Sequence, residues 1–205
     1  MQCFRGTLVA FCLFVFALLP TAARGATIQW LVGNGGNGHF YDYVPGATTW
    51  GQAETKAAAM TFNGMPGYLT TITSAAENNF IIGNFNQRGF LGGSDAAVEG
   101  EWRWVVGPEA GQLFFVGQYP DPNRHTVIYS DWGGNEPNNF GTGEDYLEFD
   151  PARGGEWNDA AGAPHLYDGY YVEFSAVPEP SSFVLGIVGL AGLGFATLRK
   201  KFRLA

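Results

Sequence analysis

From Gly107 to Gly143 the chain runs through glycine, proline and asparagine with no sustained period of 3.6 or 2, so neither a helix nor a long strand accounts for it. A connection of that length inside a compact domain is either functional or a sign of an overlooked element. Its last part, NEPNNFGTGED from Asn135 to Asp145, gathers carboxylates and amides around one proline and two glycines. Standing alone, an Asn/Gly/Pro-rich stretch is a turn. Oxygens this dense also suit a hard cation, which takes about six to eight of them at roughly 2.3–2.6 Å.

The two ends of the chain are of a different kind. Residues 1–25 carry Arg5, an apolar run from Leu8 to Leu19 and the small-residue stretch Thr21-Ala22-Ala23-Arg24-Gly25, the pattern of a secretory signal peptide. Residues 177–205 open with Val177-Pro178-Glu179-Pro180, continue through the uncharged segment 181–198 and close on Arg199-Lys200-Lys201-Phe202-Arg203. As a helix that segment would reach roughly 27 Å, enough to cross a hydrocarbon core with its basic end on the cytoplasmic side. The tail resembles the PEP-CTERM sorting signal of Gram-negative bacteria. The resemblance implies an exosortase that cuts the tail, transient anchoring in the inner membrane through 181–198, and delivery to the cell surface or to an exopolysaccharide matrix such as a biofilm. A plain C-terminal membrane anchor is the alternative, and either way the domain between, residues 26–176, lies outside the cytoplasm.

Within residues 26–176 eighteen Asp and Glu stand against five Lys and Arg, a net −13. Such a field repels nucleic acid and anionic lipid and suits cations. Both cysteines, Cys3 and Cys12, lie in the leader, so the domain has neither a disulfide nor a thiolate metal site. Packing must hold it together, and its Phe, Trp and Tyr can supply that.

The domain reads as α+β. Ile28–Val32 looks like a first strand, and a Gly/Asn turn from Gly33 to Gly38 separates it from the His39–Tyr43 strand. Thr49 stands three residues before Gln52, a capping-box spacing that opens an alanine-rich helix through Phe62, which Gly64 to Gly67 stop. Tyr68–Ile72 is a short strand; Ser74 and Glu77 repeat the capping-box signal before a second helix reaching about Phe85. Short aromatic strands follow at Glu101–Val106, Tyr146–Phe149 and Gly169–Phe174.

Several stretches together match a family. In order they are Trp50 leading the alanine-rich helix, Gly67-Tyr68-Leu69-Thr70-Thr71-Ile72-Thr73-Ser74 with Glu77, Phe90-Leu91-Gly92-Gly93, Glu99-Gly100 with Trp102 and Trp104, Trp132, Glu136-Pro137-Asn138, Trp157-Asn158-Asp159 and Tyr171-Val172-Glu173-Phe174. Residues 26–176 resemble a C-type lectin domain. The resemblance implies two helices flanking small antiparallel sheets, with a long irregular loop region that carries Ca2+. It further implies that Glu136, Asn138, Glu144, Asn158 and Asp159 hold the principal calcium, after a cis peptide before Pro137. Asp95, Glu99 and Asp145 match the positions of an auxiliary calcium site whose further acid is replaced here by Asn139, which weakens it. Asp150, Glu148 and Glu156 read as surface charges.

In lectins of this kind two vicinal hydroxyls of a sugar replace water on the ion, and the same carboxylates and amides hydrogen-bond those hydroxyls. The Glu-Pro-Asn form goes with the equatorial 3- and 4-hydroxyls of mannose-type sugars. The expected function is therefore calcium-dependent carbohydrate binding of mannose type, with a glycan or the matrix polysaccharide as partner. A structural or adhesive matrix protein, in which calcium only stabilises the loops, is the alternative. Departures from the family pattern are the missing disulfides and the segment Gly107 to Asp131, longer than a compact version needs. No enzyme is expected: there is no Gly-x-Ser-x-Gly, no His-Glu-x-x-His, and His39, His125 and His165 are far apart in sequence.

Overall fold

The computed structural model describes residues 26–141, 143–162 and 167–175. Residues 1–25, expected to be a signal peptide, the tail with its 181–198 segment, and His165 lie outside them. Among the described residues no helix is long and apolar enough to cross a membrane.

The order of elements is β1 (Ile28–Gln29), β2 (Phe40–Thr48), α1 (Trp50–Ala58), β3 (Thr61–Phe62), β4 (Met65–Leu69), α2 (Ala75–Asn84), β5 (Gly89–Ser94), β6 (Glu101–Trp104), β7 (Leu113–Val116), β8 (His125–Thr126), β9 (Tyr146–Asp150), β10 (Glu156–Ala160) and β11 (Tyr167–Phe174). Thr49 and Gln52 form the expected capping box of α1. That helix stops at Ala58 rather than Phe62, because Asn63 (φ 49°) and Gly64 (φ 80°) form a two-residue hairpin turn that pulls Thr61–Phe62 into pairing with Met65–Pro66. The first strand shortens to Ile28–Gln29, since Val32–Asn34 curl into a 3-10 turn. The box at α2 is half formed: Ser74 Oγ accepts from the Glu77 amide at 3.2 Å, but the Glu77 carboxylate is buried and accepts from Thr73 N, Thr73 Oγ1, Tyr41 Oη and Asn37 Nδ2 instead.

The strands link in the order β1-β2-β11-β5-β6-β7-β8, with the β9–β10 ladder attached to β5 and the β3–β4 hairpin to β11. The expected small antiparallel sheets are thus continuous. They are joined at a parallel step where Tyr170 of β11 faces Phe90 of β5. β5 is buried along its whole length, and only glycine fits its centre: a Cβ on Gly92 would meet the Leu69 carbonyl oxygen at 2.7 Å, and one on Gly93 would meet Leu147 at 2.9 Å.

Two buried clusters fill the domain. Trp50, Ala53, Ala57, Leu69, Phe90, Tyr170, Val172 and Phe174 join α1 to β4, β5 and β11. The second cluster centres on Trp157, whose ring meets Trp104, Phe114, Tyr129 and Trp132 edge-on at centroid distances of 5.6–6.0 Å. Its indole N–H donates to Asn78 Oδ1 (3.0 Å), and Asn78 Nδ2 donates to Asp131 (2.7 Å), so α2, β10 and the chain before Trp132 are locked together.

Glu148 and Asp150 are not surface charges. Both are buried, and Arg88 reaches Glu148 through Nε (3.0 Å) and Asp150 through a terminal nitrogen (3.1 Å). β9 is an inner strand, paired with β5 on one side and β10 on the other, and both of its faces are buried from Leu147 to Asp150, so neither acid reaches an outer face. Glu156 is exposed.

Another buried carboxylate, Glu173, accepts from Thr71 N (3.1 Å) and meets His39 Nδ1 at 2.6 Å. The Glu173 hydrogen bond raises the His39 pKa, with the charges of Glu77 and Glu109 adding to it; burial raises that of Glu173. Both folded-state values lie above their unfolded ones, so the native state binds more protons and stability falls as pH rises. The contribution of His39 is fully present below about pH 6.5, its unfolded value, and is lost as pH climbs through its folded value. The melting temperature is expected to fall as pH rises above about 6.5, and Glu173→Gln is expected to reduce the slope. Thermal melts across that range check it; an unchanged slope in the variant refutes the assignment.

Candidate metal and ligand site

The long connection is shaped by two strands that its composition conceals. Leu113–Val116 pairs with β6, and His125–Thr126 pairs back onto it, forming a hairpin that lies against the Glu136 loop. Arg124 fastens the two. One guanidinium nitrogen donates to the Glu136 carbonyl (2.8 Å), another to the Gly134 carbonyl (3.1 Å), and its face lies over the Tyr119 ring at 5.3 Å. Tyr119 N donates to the Pro137 carbonyl at 2.6 Å. The Glu136–Pro137 peptide is cis.

This loop meets β10 at Asp159. One oxygen of that buried carboxylate, Oδ2, accepts from both Asn138 N (2.8 Å) and Asn139 N (2.6 Å). Glu136, 3% exposed, accepts from the Asn138 side-chain amide. Glu144 Oε2 accepts from Phe140 N at 2.8 Å, and Asn158 Nδ2 donates to the Asp159 carbonyl at 2.5 Å. Burial, with Glu144 and Glu136 adding to it and the Asn139 amide opposing it, pushes the Asp159 carboxyl up to about 7. The chain therefore gathers Glu136, Asn138, Glu144 and Asp159, with Asn158 tied in through the Asp159 backbone.

The donor set fits a calcium ion. Asn138 Oδ1 and Asp159 Oδ1 are buried and have no hydrogen-bond partner, an arrangement that costs free energy unless something else satisfies them. Three acids, nominally −3, and two amides are oxygen donors of the kind a hard cation prefers. Among the described residues no group of three or more His, Cys, Asp and Glu side chains is arranged to hold a metal ion, so the carboxylates by themselves do not make the site.

The auxiliary residues also lie together, but differently. Asp95 is 3% exposed; its Oδ2 accepts from Gly100 N (2.9 Å), while its Oδ1 is buried without a partner. Burial, then Glu99 and Asp145, push its carboxyl up to about 7. Asn139, at φ 48°, donates to Glu99 (2.8 Å) and spends its oxygen on the amides of Gly143 (2.6 Å) and Glu144 (3.1 Å). Its side chain braces the loop rather than pointing an oxygen toward Asp95.

Two features were not read from the sequence. Arg124 gave no signal beyond being one of five basic residues in an acidic domain. Phe140, 81% exposed beside Asn139, is the most exposed large apolar side chain described, and its place between the Glu136-Pro137-Asn138 motif and Gly141 was the signal available.

Comparison with known proteins bears on the fold and on the tail of the chain. The PEP-CTERM protein-sorting motif matches residues 176–201 and implies export and processing at a membrane. Halomucin of Haloquadratum walsbyi is 36% identical over 148 residues, 71% of this chain, which spans 2% of that relative's length. Among solved structures, the cow C-type carbohydrate-recognition domain of CD23, in the presence of a GlcNAc2Man3 oligosaccharide, superposes with a TM-score of 0.50 at 24% identity, covering 67% of this chain and 89% of that one. A calcium-independent type II antifreeze protein superposes with a TM-score of 0.50 at 20% identity, covering 80% of this chain and 100% of that one.

Proposed function

Starting from a domain with the C-type lectin fold on a chain that carries a PEP-CTERM sorting motif, we propose that this protein is a calcium-dependent lectin of mannose-type specificity, displayed at the cell surface or in an extracellular polysaccharide matrix. The observation that carries the reading is the pair of buried, unpartnered oxygens, Asn138 Oδ1 and Asp159 Oδ1, beside the carboxylates of Glu136 and Glu144. Bound there, calcium would supply open coordination positions for two vicinal hydroxyls. Glu136 and Glu144 would accept from the hydroxyl protons, and the amides of Asn138 and Asn158 would donate to the hydroxyl oxygens. The Glu136-Pro137-Asn138 order of acid and amide sets which hydroxyl geometry is matched, and it favours the mannose type.

Binding of an immobilised mannose-rich glycan is expected to disappear with chelator and in the Glu136→Gln/Asn138→Asp variant. Binding indifferent to both would overturn the proposal. Arg124 acts behind the site by fixing the two carbonyls that bracket the loop. Arg124→Ala is expected to lower calcium affinity about tenfold, the scale of a group that orients metal ligands. Calorimetric titration reads this, and an unchanged affinity means the loop holds its shape without the guanidinium.

A second reading, a matrix protein whose ion only stiffens the loops, draws support from the bracing by Arg124 and Asn139, and from the same fold occurring in a calcium-independent antifreeze protein. A calcium-dependent rise in melting temperature with no further increment on adding sugar would favour it.

A further inference from the structure

We infer that the end of the sheet at which the chain leaves the domain is a membrane-facing surface, which seats Leu31 and Val32 in the interface of the bilayer that the sorting tail enters. This rests on the reading in which segment 181–198 crosses a membrane, and goes beyond it by giving the domain a face toward that membrane. Five strands end together there. Gln29 of β1 pairs with Phe40 of β2, Phe174 of β11 pairs with both Phe40 and Gly67 of β4, and Phe62 of β3 pairs with Met65 of β4. Because every one of these pairings is antiparallel, the Leu31–Gly38 loop, the Asn63-Gly64 turn and the exit at Ser175 fall on one side of the domain.

Charge and apolar surface set this end apart. In a domain of net −13, residues 26–41 and 57–76, which supply both turns and the strand ends beside them, contain no Asp, Glu, Lys or Arg. The neighbouring acids are withdrawn: Asp42, Glu77 and Glu173 are buried, and Glu109 is held by Thr71 Oγ1 at 2.8 Å. Leu31 is 50% and Val32 70% exposed. Their loop is tied rather than loose, since the amides of Gly36 and Gly38 donate to the Leu31 and Trp30 carbonyls at 3.0 and 2.8 Å, and the Trp30 ring stacks on Phe80. Along the same end Pro66 is exposed, and Phe62 and Met65 are half-buried. Consecutive exposed aliphatic side chains on an uncharged surface fit a lipid interface, which takes up apolar side chains and, where its lipids are anionic, repels the acidic remainder of the domain. Residues 176–180 alone separate Ser175 from segment 181–198, a reach of roughly 18 Å at about 3.6 Å per residue. So short a tether keeps the domain against the bilayer, and two side chains then suffice where a free domain would not bind.

The test places the full chain, with Cys3→Ser and Cys12→Ser, in vesicles of phosphatidylethanolamine and phosphatidylglycerol, diluted so that most carry a single chain. A fluorophore is attached at Val32→Cys or, as the control beyond β8, at Val127→Cys; both side chains are exposed, so neither change threatens folding. Lipids brominated near the headgroups are expected to quench the Val32 label several-fold more than the Val127 label. Leu31→Asp, again at an exposed position, is expected to remove most of that quenching by bringing a charge to the neutral end. A chain that does not float with the vesicles overturns the membrane reading of the tail and the inference together. A chain that floats with both labels quenched alike, or with quenching that survives Leu31→Asp, overturns the inference alone. So does a Val32 label shielded from a water-soluble quencher but not reached by the brominated lipid, which would put the tail or a second copy of the chain on this surface.

Discussion

Asp159→Asn is expected to abolish the stabilisation that calcium confers on the domain. A ligand present at about a hundred times its dissociation constant stabilises the native state by about 2.7 kcal/mol, which for a domain near 150 residues amounts to roughly 5–10 °C in melting temperature. Asp159 sits where the two contributing segments meet: one oxygen gathers the amides of Asn138 and Asn139, and the other is buried and unpartnered. Asparagine keeps one acceptor for the two amides and replaces the other oxygen with an N–H2 group, which repels a cation. Paired thermal melts with calcium and with chelator read the outcome. A calcium-dependent rise of wild-type size in the variant would remove Asp159 from the ligand set and separate β10 from the loop.

Trp157→Ala is expected to cost about 3–5 kcal/mol, the range for truncating a large buried aromatic residue. Four rings lose their shared neighbour, and Asn78 Oδ1 loses its donor in a buried setting. Against a total stability of about 5–15 kcal/mol this brings the domain close to unfolding. Urea unfolding monitored by intrinsic fluorescence measures it. Trp157→Phe, which keeps an aromatic ring but not the N–H, should fall well short of that loss; equal losses would place the effect in the hydrogen bond rather than in packing.

Motifs that set local backbone chemistry were the most legible part of the fold. Thr49 with Gln52 marked the start of α1, and Ser74 marked α2, because capping depends on residues three apart in sequence. The end of α1 was misread because alanine-rich sequence favours helix locally, whereas the Asn63-Gly64 turn and pairing with β4 decide otherwise. β5 escaped notice because Gly89-Phe90-Leu91-Gly92-Gly93-Ser94 is poor in strand-forming side chains; its glycines answer to Leu69 and Leu147, neighbours a linear reading does not see. At the candidate site, the oxygen-rich residues were visible as chemistry, and their order matched a family. That Glu148 and Asp150 turn inward to Arg88 was not, since burial of β9 depends on strands on both sides of it. Arg124 was illegible for the same reason: its partners are main-chain carbonyls, which have no signature in the sequence.

The guanidinium that fastens the hairpin to the Glu136 loop occupies a role that a sulfur cross-link could fill, in a domain with no cysteine to make one. A fastening of this kind requires no oxidase or isomerase to install it and is untouched by thiols, sulfide or changes of redox potential. It is made and broken with the fold itself, so a chain shaken open in a harsh exterior can close again without any covalent chemistry having gone astray.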